Sequence, residues 1–303
     1  MLLLILYACG SAVGSPSMAE GPTFTGRCDA SAFVPVGADH ILVADDEKKS
    51  LGLYPITGGE PVKVKVKDHV GVDDETDLEG AAMIGNVAYF IGSHGRTAKA
   101  NEAPARQYLF ALEPSLAEPR FVGGPFHGLH GGLFALPEVG EALRAASKRA
   151  PKNLEGGLNI EGLAATPTGE LLMGFRNPLI EGRALVVTLK NPSEVLKGRP
   201  ATLSAETVDL GGRGIRSMES YGEGYLVIAG PVDSESDFAV FRWDRETAVQ
   251  IPVELGTLNP EAIGVVGGQI LVLSDDGRRP VGGVDCKDAS SSAQSFRSMW
   301  LKL

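Results

Sequence analysis

One polar motif returns five times along the chain, each time running into an apolar strand. The copies are Asp29-Ala30-Ser31-Ala32, Asp77-Leu78-Glu79-Gly80, Asn159-Ile160-Glu161-Gly162, Ser217-Met218-Glu219-Ser220 and Asn259-Pro260-Glu261-Ala262. A turn and a second apolar strand follow each copy (HILVAD, VAYFIGS, ELLMGF, YLVIAG, QILVLS), and a polar loop then leads to a third (LGLYPI, QYLFAL, ALVVTL, FAVFRW, SMWLKL). Four units continue into a fourth strand, as VKVKVK, RFVGG, LSAETVDL and IPVEL. Runs of β-branched and aromatic residues between Gly, Asn and Asp are strand signals. Four antiparallel strands recurring every ~40 to 80 residues specify a β-propeller.

The fifth unit ends at Leu303 one strand short, and Thr23–Arg27 (TFTGR) supplies the missing outer strand. That closure favours five blades over six. The long interval between Glu79 and Glu161 is read as an insertion over residues 126–157, carrying one short helix within Pro137–Lys152 and ended by Pro151. A degenerate sixth blade is the alternative. Composition agrees with an all-β chain: 39 glycines and 19 prolines among 303 residues disfavour long helices. The net charge of −10 argues against nucleic acid as a partner.

In a propeller the connections between blades and the loops between second and third strands share one face. The five motifs therefore meet at the mouth of the central channel. With them come the loops beginning Asp45-Asp46, Ser93-His94-Gly95-Arg96, Arg176-Asn177-Pro178, Gly230-Pro231 and Asp275-Asp276. Glu79, Glu161, Glu219 and Glu261 would crowd this mouth, and carboxylates so close cannot all stay ionised alone. Either a divalent cation with oxygen ligands, best suited by Ca²⁺, neutralises them, or Arg96, Arg176, Arg213 and Arg216 pair with them and tie the blades together. In the first arrangement the arginines and Asn177 hold an anionic substrate, and His94 or a metal-bound water moves the proton. His127 and His130 (HGLH) have a metal-like spacing, but the flanking glycines argue against a helix and no third ligand is evident. Lys63, Lys65 and Lys67 alternate with valines and face water on an edge strand.

The N-terminus reads MLLLILYACG, a short apolar run whose Leu6-Tyr7-Ala8-Cys9 resembles a lipobox, with Cys9 the lipidation site. Residues 1–21 are accordingly a leader and tether, and residues 22–303 the propeller. The expected location is a bacterial envelope, exported to the periplasm or cell surface, with membrane contact only through the lipid. Cys28 and Cys286 fall on the same face at the closing seam. They form a disulfide if exported; two free buried thiols are the alternative.

DLEGAA with IGSHGR (77–96), NIEGLAATPTGELLMGFRNPL (159–179), LGGRGIRSME (210–219), YLVIAGP (225–231) and FRWD (241–244) resemble a bacterial family known as domain of unknown function 3616. A looser similarity, through the Glu-Gly motifs entering inner strands, reaches the esterase-like phytase propellers and implies phosphoester or lactone chemistry. Ser31 stands in place of Glu in the first unit, and Ser220 and Ala262 in place of Gly in the last two. Two functions follow as expectations: a metal-dependent hydrolase of a small anionic substrate, or a non-catalytic surface binding or scaffold propeller whose Glu and Arg residues are structural.

Overall fold

A computed structural model describes residues 15–45, 47–71, 76–152, 156–233 and 237–303. Five four-stranded antiparallel sheets form the blades of a propeller. Their inner strands are Ala30–Val36, Leu78–Ile84, Asn159–Ala165, Gly214–Tyr221 and Pro260–Val266, and each packs beside the next until the last meets the first. The six-bladed alternative fails because the described residues of the insertion hold helices and add no sixth sheet.

The apolar runs are buried between blades rather than around a central point. Five clusters fill the five spaces between neighbouring blades. This explains why the second strands are mainly apolar: Leu171–Asn177 and Gly224–Gly230 are buried at every position, each sandwiched between two neighbours. It also explains the Glu-Gly motif. A methyl group on Gly162 would stand 2.8 Å from Ile215 Cγ2 and 3.0 Å from Met218 Cγ in the next inner strand, so only glycine lets the two strands close up.

The ring closes by an N-terminal strand, as expected, but through a different segment. Ser17–Glu20 pairs antiparallel with Ser298–Lys302 as the outer strand of the fifth blade, although it lies in the stretch read as tether. The expected closing segment makes a separate two-residue ladder, Phe24–Thr25 with Ser295–Phe296. Phe24 is drawn inward because its ring stacks on Phe296 at 5.0 Å and meets Tyr54 edge-on at 5.3 Å. The outer strand of the fourth blade is Ala248–Ile251, ahead of the expected IPVEL.

The insertion carries two short helices, Leu129–Leu133 and Gly140–Ala146. The second is the short helix expected within 137–152, and the first forms where the glycines of HGLHGG argued against a helix. Packing overrides propensity there: Leu129, Leu133, Leu136, Val139, Leu143 and Ala146 are buried against Tyr89, Ile91, Ile160 and Phe175 of blades two and three. Among the described residues no helix is long and apolar enough to cross a membrane. Cys9 and the lipobox lie outside the described residues, as does Asp46. Lys63, Lys65 and Lys67 are exposed, as expected, but only the first two lie on the outer strand Val62–Lys65; Lys67 opens a short helix, Lys67–Val70.

Cys28 and Cys286 are joined in a disulfide with Cα atoms 6.0 Å apart, across the seam of blades five and one. Because the bond closes nearly the whole ring, its loss enlarges the unfolded ensemble. Replacing both cysteines by serine should lower unfolding free energy by about 2–5 kcal/mol in urea titrations, with the native fold retained.

Candidate functional site

Each inner strand begins with a β-bulge, and the bulges decide what the channel mouth contains. The register slips between Ala30 and Ala32, Leu78 and Gly80, Ile160 and Gly162, Ile215 and Ser217, and Pro260 and Ala262. The extra residues are therefore Ser31, Glu79, Glu161, Arg216 and Glu261. A bulge re-aims its side chain away from the alternation of the strand. Four of the five line one cavity of about 490 Å³; Ser31 instead donates from Oγ to the Leu78 carbonyl at 2.5 Å, pegging blade one to blade two.

The fourth bulge corrects the sequence alignment. Arg216, not Glu219, is the equivalent of Glu79, Glu161 and Glu261. Glu219 lies three residues further along the strand, outside the cavity, where its Oε1 accepts the Ser220 N–H at 3.0 Å and burial pushes its carboxyl up to about 7. The four expected glutamates are thus not gathered. Among the described residues, no three His, Cys, Asp or Glu side chains are grouped to hold a metal ion.

The second arrangement anticipated from the sequence is present in part. Arg216 Nε lies 2.9 Å from Glu161 Oε2, and its Nη2 donates to Glu261 Oε1. Arg176 Nη1 donates to Glu161 Oε1 at 3.1 Å, and Asn159 Nδ2 donates to the same oxygen at 2.5 Å. Arg216, Glu161 and Arg176 are all buried, with relative exposures of 2%, 3% and 3%. Phe238 lies 5.5 Å beneath the Arg216 guanidinium. Removal from water, opposed by Glu161, lowers the proton affinity of Arg216 from the usual arginine value. One guanidinium therefore joins blades three, four and five.

The network leaves donors unused. Nε and Nη2 of Arg176 and Nη1 of Arg216 are buried and have no hydrogen-bond partner. Around them the cavity wall carries Asp77, Glu79, Glu261 and Asp275 against Arg106, Lys152 and Arg278. Arg106 Nη1 lies 3.1 Å from Asp77 Oδ2, which also accepts from Ser93 Oγ. The insertion reaches the rim through Ala150, Pro151 and Lys152. The sequence reading missed Asp77, Arg106, Lys152 and Asp275 as wall residues, although Asp77 and Asp275 stand in the polar motifs and loops it placed on this face.

The other expected residues serve elsewhere. Arg96 donates to Ser147 O at 2.7 Å and Ala100 O at 2.9 Å, holding the insertion rather than the cavity. Asn177, fully buried, donates to Pro151 O at 2.5 Å and does the same. Arg213 is paired with Asp237 at 2.8 Å outside the cavity. His94 is buried behind the wall, its ring 5.3 Å from that of His130, with both ring nitrogens lacking a hydrogen bond. Burial and the neighbouring His130 and His127 hold its pKa well below the usual histidine value.

A family model described as a protein of unknown function, DUF3616, matches residues 147–259. The resemblance to that family is borne out. The matched stretch contains Glu161, Arg176 and Arg216, the three residues of the buried ion network that share one carboxylate. No curated protein matches the chain. Among solved structures, the glutaminyl cyclase of Myxococcus xanthus is 11% identical, with 95% of this chain and 98% of that chain covered and a TM-score of 0.47. The PQQ-bound aldose sugar dehydrogenase of Streptomyces coelicolor is 13% identical over 95% and 98%, with a TM-score of 0.48. The arabinanase Arb43A of Bacillus subtilis is 8% identical over 93% and 97%, with a TM-score of 0.45.

Glu219 offers a check on its corrected place. Its folded-state pKa is raised, so the folded chain holds more protons than the unfolded chain between about pH 4.5 and about 7, and stability falls as pH rises through that window. Glu219→Gln should remove this loss, raising Tm above pH 7 with little change near pH 4. Loss of stability in the variant at every pH would contradict the assignment.

Proposed function

We propose that the channel mouth binds a small molecule through an oxyanion group, held by Arg176 and Arg216. The observation that carries this reading is the trio of buried, unpartnered N–H donors on the cavity wall. A buried donor left unsatisfied costs about 1–3 kcal/mol, and more when charged. Three such donors in one wall are accounted for if a ligand completes them. On Arg176 the free atoms are Nε and Nη2, which lie along one edge of the guanidinium. That edge matches two oxygens of a carboxylate or phosphate in parallel hydrogen bonds. Glu161 holds the remaining Nη1, so the fork is fixed before the ligand arrives.

The ion network also favours the structural role anticipated for the Glu and Arg residues, since Arg216 joins three blades. The two roles coexist: Arg216 Nε and Nη2 serve the lock, and the donors left over serve the ligand. His94, expected as the proton-transfer group, is outside the cavity, and Glu161 and Glu261 are engaged by arginine. An exported location accords with the Cys28–Cys286 disulfide, a bond that persists in oxidising compartments.

Calorimetric titration with sulfate, phosphate and a series of mono- and dicarboxylates tests the site. Saturable binding at one site per chain is expected. Arg176→Lys keeps the charge but removes the fork, and should weaken binding roughly ten- to hundred-fold. Arg213→Gln, outside the cavity, should bind as the parent does. Heat from none of these anions, or equal binding by Arg176→Lys, would contradict the proposal.

A further inference from the structure

The cavity at the mouth has a neighbour. A second cavity, of about 630 Å³, lies between the connection from blade four to blade five and the loop after the second strand of blade five. Asp275 and Arg278 stand on the walls of both. Phe238 joins them as well: it lines the second cavity, while the Arg216 guanidinium of the first lies 5.5 Å from its ring. Val253, Leu255 and Leu258 add apolar surface to the second wall.

That wall carries two arginines on one aspartate. Asp276, 2% exposed, accepts from Arg297 Nε at 2.8 Å and Nη2 at 2.7 Å, and from Arg279 Nε at 3.2 Å. One buried negative charge faces two positive ones, as Glu161 faces Arg176 and Arg216. Arg297 spends its remaining donors on Thr257, whose Oγ1 and carbonyl accept at 2.9 and 3.0 Å. Arg279 Nη2 donates to the carbonyl and Oγ of Ser295 at 2.9 and 2.8 Å. Among the described residues its Nη1 has no hydrogen-bond partner, and the side chain is 30% exposed. The other charges of this wall do not cancel the surplus: Asp237 is paired with Arg213, Glu254 is exposed to solvent, and Asp275 and Arg278 contribute one charge of each sign.

We propose that the ligand of the mouth is an elongated dianion that spans both cavities. One carboxylate or phosphate end sits on Arg176 and Arg216, an apolar linker runs along Phe238, and the second anionic end sits on Arg279. The inference rests on the anion-site reading above and names the class of ligand that fills the site. Each end meets a guanidinium already held by a buried carboxylate, so little ordering remains for the ligand to impose. Once the first end is bound, the second meets Arg279 as an intramolecular contact at high effective concentration.

The test is a length series. Straight-chain α,ω-dicarboxylates from malonate to sebacate are titrated into the full chain by calorimetry, each beside the monocarboxylate of the same length. Once the linker is long enough to reach Arg279, the dicarboxylate should bind about ten- to hundred-fold more tightly than its matched monocarboxylate, one per chain. Arg279→Gln should remove that gain while leaving malonate and the monocarboxylates, confined to the first cavity, at parent affinity. The unchanged affinity for malonate also reports that the variant has kept its fold, and the length series in the parent needs no variant at all. Matched affinities at every length, or a gain that survives in Arg279→Gln, would overturn the inference while leaving the anion site standing. Failure of sulfate, phosphate and every carboxylate to bind would instead remove the site reading, and this inference with it.

Discussion

Arg216 sits where the other blades place glutamate or serine, and the mouth of the propeller depends on that exchange of sign. With glutamate at the fourth bulge as well, four successive blades would turn carboxylates toward the same cavity. Arg216 stands between Glu161 and Glu261 and answers both. Removing one partner of such a buried pair typically costs about 3–5 kcal/mol, because the other charge is left stranded. The same geometry fixes Glu161, which holds Arg176, a residue of the cavity wall. Fold closure and the candidate site thus share one set of ions.

The core has a matching logic. Apolar surface lies in five layers between blades, so each inner strand must approach its neighbour closely, and small residues follow the bulge in every unit: Ala32, Gly80, Gly162, Ser217 and Ala262. A bulge is how a strand pinned on both faces can still turn one side chain toward the channel. Function at the mouth is therefore confined to five positions per ring plus the loops around them. The insertion extends that set by bringing Ala150–Lys152 to the rim, and Arg96 and Asn177 anchor it there.

Much of this architecture was legible because strand alternation and turn residues repeat in each unit: the blade count, the convergence of motifs, the disulfide and an N-terminal strand at the seam. The fourth motif was misread for a physical reason. Both Ile215-Arg216-Ser217 and Met218-Glu219-Ser220 read as an apolar residue, a charge and a small residue, and matching on acid chose the wrong one. Measured back from the hairpin turn at Gly222, Glu219 is too close to open the strand and Arg216 is correctly spaced. The closing strand was misplaced because Phe24 is a strong strand former, yet its ring is worth more in the Tyr54–Phe296 cluster than on an outer edge. The helix at Leu129–Leu133 could not be read locally, since its formation depends on packing against blades two and three.

The central claim is that the unused donors of Arg176 and Arg216 face a ligand rather than completing a closed structural lock. The most direct measurement is a crystal structure of the protein soaked with an anomalously scattering oxyanion such as selenate. The account predicts an anomalous peak within hydrogen-bond distance of Arg176 Nε and Nη2, with Arg216 Nη1 as the third donor. A mouth in which those three donors turn to protein or water partners, with the anion absent or bound elsewhere, would contradict it.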